Sequence, residues 1–227
     1  MLNICAISDL HGTLPEIKES DLLLIAGDLV PLYCQADYTE SKLWLSTIFN
    51  VWAEDLPVDK VILIGGNHDG FICVHEEEFR SILSPKCVYL KDEMTMYKGI
   101  TIYGTPWCHQ FGNWWFMDSD LNLTKKFKAI PDNLDILLTH DAPYGCNDIC
   151  LENVSWNKGD HIGSRPLREV ILEKHPLKVV HGHLHSTKHE WEQLGTTMVT
   201  NVSILNEKYL YCYEPTYFEL ASVSLED

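Results

Sequence analysis

Five short apolar runs, each stopping at the same kind of polar residues, constrain this chain more tightly than anything else in it. Leu2-Asn3-Ile4-Cys5-Ala6-Ile7-Ser8 leads into Asp9-Leu10-His11, Leu22 to Ala26 leads into Gly27-Asp28, and Val61 to Ile64 leads into Gly65-Gly66-Asn67-His68-Asp69. Ile136 to Thr139 then leads into His140-Asp141, and Val179-Val180 into His181-Gly182-His183-Leu184-His185. Runs this short, rich in β-branched residues, read as strands buried on both faces. Helical patterns lie between them. Trp44, Ile48, Val51 and Trp52 recur at helical spacing across residues 41–56, with Pro57 as a stop. Ser164 and Pro166 open another helix, with Leu167, Val170 and Ile171 on one face. The alternation predicts an α/β layered fold. Thr196 to Leu205 and Lys208 to Glu214 predict two further strands in a hairpin turning near Asn206-Glu207.

Open α/β sheets bind ligands in the crevice beyond the carboxyl ends of their strands. Every polar cluster named above sits at such an end, so residues as distant as Asp9 and His183 can meet there. One strand-end Asp or His is more often a cap or a satisfied core group than a ligand. The ordered set Asp9, His11, Asp28, Asn67, His140, His183 and His185, with His68, is harder to explain that way. It offers nitrogen and oxygen donors without sulfur, which suits manganese, iron, zinc, nickel or cobalt. Seven ligands are too many for one tetrahedral ion, whereas a carboxylate such as Asp28 can bridge two ions about 3.5–4 Å apart. In an extended segment, His183 and His185 would project to one side, and Gly182 would permit a close backbone approach.

Composition narrows the partners. At 227 residues and 45% hydrophobic, the chain can bury one sizeable core, so residues 1–227 are expected to form a single domain. No apolar run approaches the ~20 residues of a membrane span, and the start, MLNICAISDLHG, lacks the pattern of a secretion signal. A soluble, cytoplasmic protein is expected. Its eight cysteines are scattered and form no CxxC pair, which reads as reduced thiols filling core space. A net charge of -16, from 17 Lys+Arg against 33 Asp+Glu, disfavours duplex nucleic acid and anionic membranes as partners. A small anionic substrate stays open, because cations in a cleft reverse the local potential. Oligomeric state is not encoded legibly.

The segments Asp9-Leu10-His11, Gly27-Asp28, Gly66-Asn67-His68-Asp69, Thr139-His140 and Gly182-His183-Leu184-His185 together resemble the DxH, GD, GNH[DE], H and GHxH signature of the calcineurin-like metallophosphoesterases. The resemblance runs from residue 9 to 185. It implies two mixed β-sheets packed face to face and flanked by helices, a four-layer sandwich. It also implies two divalent metal ions, manganese first. Asp9, His11, Asp28 and His185 would hold one, and Asp28, Asn67, His140 and His183 the other. A hydroxide between the ions would attack phosphorus in line with the leaving oxygen. His68 would stabilise the developing charge or protonate the leaving group, with Asp69 orienting it. The implied substrate is a small phosphoester, a nucleotide-like phosphodiester more than a phosphoprotein. After Asp28 comes Leu29-Val30-Pro31, not the Asp-Arg-Gly of the Ser/Thr protein phosphatases. An interaction scaffold that keeps the fold without turnover is the competing class, and it would be expected to show gaps in the ligand set.

Gly104-Thr105-Pro106-Trp107, Phe111 and Trp114-Trp115-Phe116 resemble a segment of the small metallophosphoesterase-domain (MPPED-like) branch, as do His140-Asp141-Ala142-Pro143 and His161-Ile162-Gly163-Ser164. Ser164 replaces the Cys usual there, and Trp115 a smaller residue. The aromatic stretch either walls the cleft and stacks a base or packs on the core. His109 either touches phosphate or is simply exposed. His161 and Arg165 either meet phosphate or belong to the cap of the following helix. His181 reads as core or as support for the ligands.

Overall fold

In the computed structural model, which describes residues 1–151 and 158–221, the apolar runs are strands of two sheets. The first sheet orders β13-β1-β2-β3-β4, where β1 is Leu2–Ile7, β2 Ser20–Ile25, β3 Val58–Leu63, β4 Cys87–Tyr89 and β13 Thr216–Leu220. Its inner strands are parallel, and β13 closes one edge antiparallel to β1. The second sheet orders β11-β12-β10-β9-β6-β5, where β5 is Glu93–Tyr97, β6 Ile100–Thr105, β9 Ile136–Thr139, β10 Lys178–His181, β11 Glu192–Leu194 and β12 Thr197–Asn201. It is parallel at its centre, with antiparallel edges. A parallel ribbon of β7 (Cys108–His109) and β8 (Met117–Asp118) lies apart.

Alternation along each strand sorts the side chains into layers. Ile4, Ala6, Leu22, Leu24 and Ile62 of the first sheet face Ile102, Ile136, Leu138 and Val180 of the second, a dry seam between the sheets. Their neighbours Cys5, Ile7, Leu23, Ile25, Val61 and Leu63 face the other way. They pack under α1 (Tyr38–Trp44), α2 (Asn50–Asp55), α3 (Gly70–Val74) and α4 (Glu76–Ile82). On the far side of the second sheet, Leu137, Val179 and Val199 pack under α5 (Asp120–Phe127) and α6 (Arg165–Lys174). Four layers result, helix, sheet, sheet, helix, as the resemblance implied.

Two local expectations change. Residues 38–55 are helical, but Leu45–Phe49 forms a π-helical turn between α1 and α2. The wider turn rotates the buried face. Leu45, Phe49 and Ala53 enter the core, while Ile48 and Val51, expected there, are 52% and 58% exposed. The C-terminal hairpin is also largely absent. β12 ends at Asn201, and only the bridge between Leu205 and Tyr211 survives of the second strand. After β12 the chain leaves its sheet: Ser8 N–H donates to Val202 O at 2.8 Å, and Ile204 N–H to Ser8 O at 3.1 Å. That crossing ties the ends of β1 and β12 together and leaves residues 206–210 as a loop over the site. α6 forms as expected, with the Ser164 hydroxyl accepting from Leu167 N–H and Leu167, Val170 and Ile171 buried.

Candidate metal centre

The loops after β1, β2, β3, β9 and β10 deliver Asp9, Asp28, Asn67, His140 and His183 to one end of the sandwich. Four of the seven expected ligands hold left-handed backbone: Asp9 (φ 56°), His11 (41°), Asp28 (54°) and His183 (69°). Such conformations are uncommon for residues other than glycine and cluster where a site fixes them. His183 therefore does not lie in an extended segment. β10 ends at His181, and beyond Gly182 the two rings meet different partners, His183 beside His140 at 5.1 Å and His185 Nε2 3.1 Å from Asp9 Oδ1. Gly182 has no room for a side chain: a Cβ there would sit 2.0 Å from Ser8 Oγ and 2.4 Å from Asp9 Oδ2.

On one side, Asp9 Oδ1 lies 3.1 Å from His185 Nε2, while Asp9 Oδ2 accepts from Ser203 Oγ at 2.6 Å and from His183 N–H at 2.9 Å. On the other, His140 Nε2 lies 3.0 Å from Asn67 Oδ1, and the His183 ring is 5.1 Å from the His140 ring. Asp28 stands between. Its Oδ2 is 3.5 Å from His11 Nε2 and 3.4 Å from His140 Nε2, and its Oδ1 accepts from His68 N–H at 2.7 Å. The seven expected donors are thus brought together.

Second contacts aim the rings. His140 Nδ1 lies 2.7 Å from Ala26 O and His185 Nδ1 3.1 Å from Asn206 O, so each ring can donate there and turn Nε2 inward. Among the described residues, neither buried ring nitrogen of His11 has a hydrogen-bond partner. An unpaired buried imidazole costs free energy unless something accepts its lone pair, and a cation does so. Asp9, His11 and His185 have donor atoms within 4.8 Å of one another, as do Asp9, Asp28 and His140. The residues fit divalent ions bound by oxygen and imidazole.

Electrostatics follow the same division. Burial alone would raise Asp9 and Asp28, but His185 beside the first and His140 beside the second hold both below the usual carboxylate range. Burial opposes charge on His140 and His185, yet Asp28 and Asp9 push them up to about 10 and about 9. At His11 burial outweighs the nearby Asp28 and takes the imidazole down to about 4, and burial takes His183 down to about 3. Two imidazoles are therefore neutral ligands in waiting, and two would release protons when a cation binds.

The two residues expected to be catalytic part company. His68 lines the cleft, its ring 4.9 Å from His11, and its Nδ1 is hydrogen-bonded to Gln35 Oε1. Asp69 does not orient it. The Asp69 carboxylate is fully buried and accepts from the backbone N–H groups of Leu29, Val30 and Gly66 at 2.9, 3.1 and 2.9 Å, pinning the loop that carries Asp28 to the loop that carries Asn67. A carboxylate directly after a histidine in sequence points elsewhere once the chain turns into α3.

Three further residues had no sequence signal. Gln35 reaches His68 from a loop 33 positions earlier. Tyr209 (φ 57°) comes from the loop that replaces the expected hairpin, its ring 4.9 Å from His11. Cys108 lies within ligand distance of His140 and His183, where burial holds its thiol protonated, well above the ordinary range. The cleft itself, about 260 Å³, is walled by Phe111, Trp114 and Tyr209, with Asp28, His68 and His185 at its floor. Trp114 is thus a wall, while Phe116 is core and Trp115 packs against core. His181 is fully buried, with Nδ1 3.1 Å from Gly182 O.

A four-layer α/β sandwich that gathers Asp, Asn and His donors at its strand ends has the architecture of a metal-dependent phosphoesterase. The chain belongs to the calcineurin-like phosphoesterase family, whose family model matches residues 2–187. That family supports metal-dependent hydrolysis of phosphate esters. Among curated relatives, a UPF0046 protein of Caenorhabditis elegans is 28% identical over 93% of this chain and 76% of its own length. Human metallophosphoesterase domain-containing protein 1 is 27% identical over 94% of this chain and 69% of its own, in keeping with the expected branch. Among solved structures, TT1561 of Thermus thermophilus superposes with a TM-score of 0.60 at 17% identity, covering 88% of both chains. A phosphopantetheinyl hydrolase of Mycobacterium tuberculosis gives 0.51 at 14%, covering 91% of this chain and 90% of that one. These two share the fold. Among the described residues, no helix is long and apolar enough to cross a membrane.

Proposed function

We propose that this protein is a phosphodiesterase of small, nucleotide-like esters that works with two divalent ions, manganese first. The observation that carries the reading is the position of Asp28, with one carboxylate oxygen 3.5 Å from His11 Nε2 and 3.4 Å from His140 Nε2. One carboxylate between two donor groups suits a shared ligand. Asp9, His11 and His185 would complete one coordination set, and Asn67, His140 and His183 the other.

Bound divalent ions would supply Lewis acidity and a water nucleophile at neutral pH. The chain's own residues do the rest. With Nδ1 held by Gln35, His68 keeps Nε2 for the cleft, where it can donate to a non-bridging or leaving oxygen of the ester. Phe111, Trp114 and Tyr209, each at least 40% exposed, offer flat faces to a base or aryl leaving group. A cleft of about 260 Å³ suits a small ester more than a folded phosphoprotein.

The test is manganese-loaded protein assayed on bis-p-nitrophenyl phosphate, p-nitrophenyl phosphate and a nucleotide panel, with metal counted by mass spectrometry. Two ions per chain and faster diester turnover are expected. His140→Ala should lose metal and turnover together, whereas His68→Ala should keep metal and lose turnover. A faster monoester reaction would overturn the diester reading. Metal-free, inert protein would favour the scaffold.

A further inference from the structure

Beside the metal cleft lies a second cavity, of about 230 Å³, lined by His109, Asp120, Tyr144, His161, Gly163 and Arg165 among others. Phe111 separates the two. Its ring is 5.1 Å from His183 of the metal centre and 5.8 Å from His109 of the cavity.

The polar groups here are held in place from behind. His161 Nδ1 lies 2.6 Å from Asp148 Oδ1, and the other oxygen of that fully buried carboxylate accepts from the N–H groups of Gly145 and Gly163 at 2.9 and 3.0 Å. His109 is held the same way. Its Nδ1 is 2.7 Å from Asp141 Oδ2, which also accepts the His109 backbone N–H at 2.9 Å. Each ring spends Nδ1 on a buried carboxylate, leaving Nε2 as its remaining polar atom. At His109 burial opposes the charge, but Asp141 pushes the imidazole up, which favours a donor at Nε2.

Arg165 is the third group. Its guanidinium carbon stands 3.8 Å over the Tyr144 ring, and among the described residues no carboxylate pairs with it. Asp120 lines the same cavity. The other two arginines of the chain are engaged: Arg80 with Glu76 and Glu93, Arg168 with Tyr144 O. A guanidinium held over an aromatic ring by its carbon still has N–H donors for an anion. In a protein of net charge -16, a guanidinium with no carboxylate partner among the described residues, beside two imidazoles, is a local exception. A metal ion suits the cavity poorly, because the groups able to hold one among the described residues all lie in the first cleft. A phosphate matches both the guanidinium fork and the imidazole donors.

We infer that this cavity binds a second phosphate group of the substrate, so that the preferred esters carry a further phosphoryl group beyond the one at the metal centre. The inference rests on the phosphoesterase reading of the neighbouring cleft and names its substrate class more closely. Phe111 would then stand between the two phosphates, against the sugar or base that joins them.

Calorimetric titration of the manganese-loaded chain with adenosine 5′-monophosphate, adenosine 3′,5′-bisphosphate and adenosine 2′,5′-bisphosphate tests it. At least one bisphosphate should bind about tenfold or more tightly than the monophosphate, the size expected of a charge-assisted contact. Arg165→Gln and His161→Asn should each collapse that ratio, a readout that a general loss of folding or metal does not mimic. Equal affinity for all three nucleotides, or a preference that survives Arg165→Gln, would overturn the subsite. Bisphosphate preference without turnover of any phosphoester would leave the subsite standing and remove the hydrolytic reading; turnover without preference would do the reverse.

Discussion

His68 Nδ1 is hydrogen-bonded to the side-chain oxygen of Gln35, a neutral amide where a carboxylate would also fit. The amide oxygen accepts only, so Nδ1 must donate to it, which turns Nε2 to the cleft, where it donates only when both ring nitrogens carry protons. Gln35→Ala would release the ring to rotate toward Trp114, 4.6 Å away. One hydrogen bond of this kind contributes about 0.5–1.5 kcal/mol, so kcat should fall by about two- to thirteenfold. Metal content should stay the same, and Gln35→Glu should restore the contact. Equal kcat in Gln35→Ala and the parent would show that the amide does not position the ring.

Asp69 makes a different prediction from the one its neighbour suggests. Its two oxygens receive three backbone N–H groups, so Asp69→Asn sets an amide NH₂ against at least one of them. A buried donor left unsatisfied costs about 1–3 kcal/mol. The loops carrying Asp28 and Asn67 would loosen together, so urea unfolding should shift to lower concentration and metal occupancy should drop. Were Asp69→Asn instead to keep stability and metal while slowing turnover, the carboxylate would be acting through His68 after all.

How far the sequence foretold these contacts depends on their range. The five strands and their polar ends were legible because alternation and burial on both faces are written locally, as in Val61 to Ile64 running into Asn67 and His68. The order of Asp9, Asp28, Asn67, His140 and His183 followed from the same strands. What escaped was set by turns and distant loops. His183 and His185 diverge because the backbone at His183 is left-handed, and nothing in Gly-His-Leu-His announces that. Gln35 and Tyr209 approach from loops whose paths depend on the packing of other elements. The π-helical turn at Leu45–Phe49 defeats a 3.6-residue period by adding a residue, so Phe49 is core where Ile48 was expected. Asp69 turns to the backbone of Leu29, Val30 and Gly66 and not to the His68 ring, because adjacency in sequence does not survive a tight turn.

His181 carries the pH prediction. It is fully buried, its Nε2 has no hydrogen-bond partner, and burial takes it down to about 4 from an ordinary 6.5. The folded chain keeps this ring neutral down to about pH 4, whereas the unfolded chain protonates it near pH 6.5. The unfolded state then binds the extra proton, so the stability that neutral His181 contributes is complete above pH 6.5 and is lost as pH falls toward 4. His181→Leu replaces the ring with an apolar side chain of similar bulk and removes that one titration. His11 and His183 titrate in both proteins and cancel in the comparison. Urea unfolding of chelator-treated protein at several pH values between 4 and 8 should therefore show a shallower acid loss in the variant. The difference should approach one proton, about 1.4 kcal/mol per pH unit at its steepest. Parallel profiles for the two proteins would mean that the folded chain accommodates a charged His181, with Asp141 among the carboxylates that act on it.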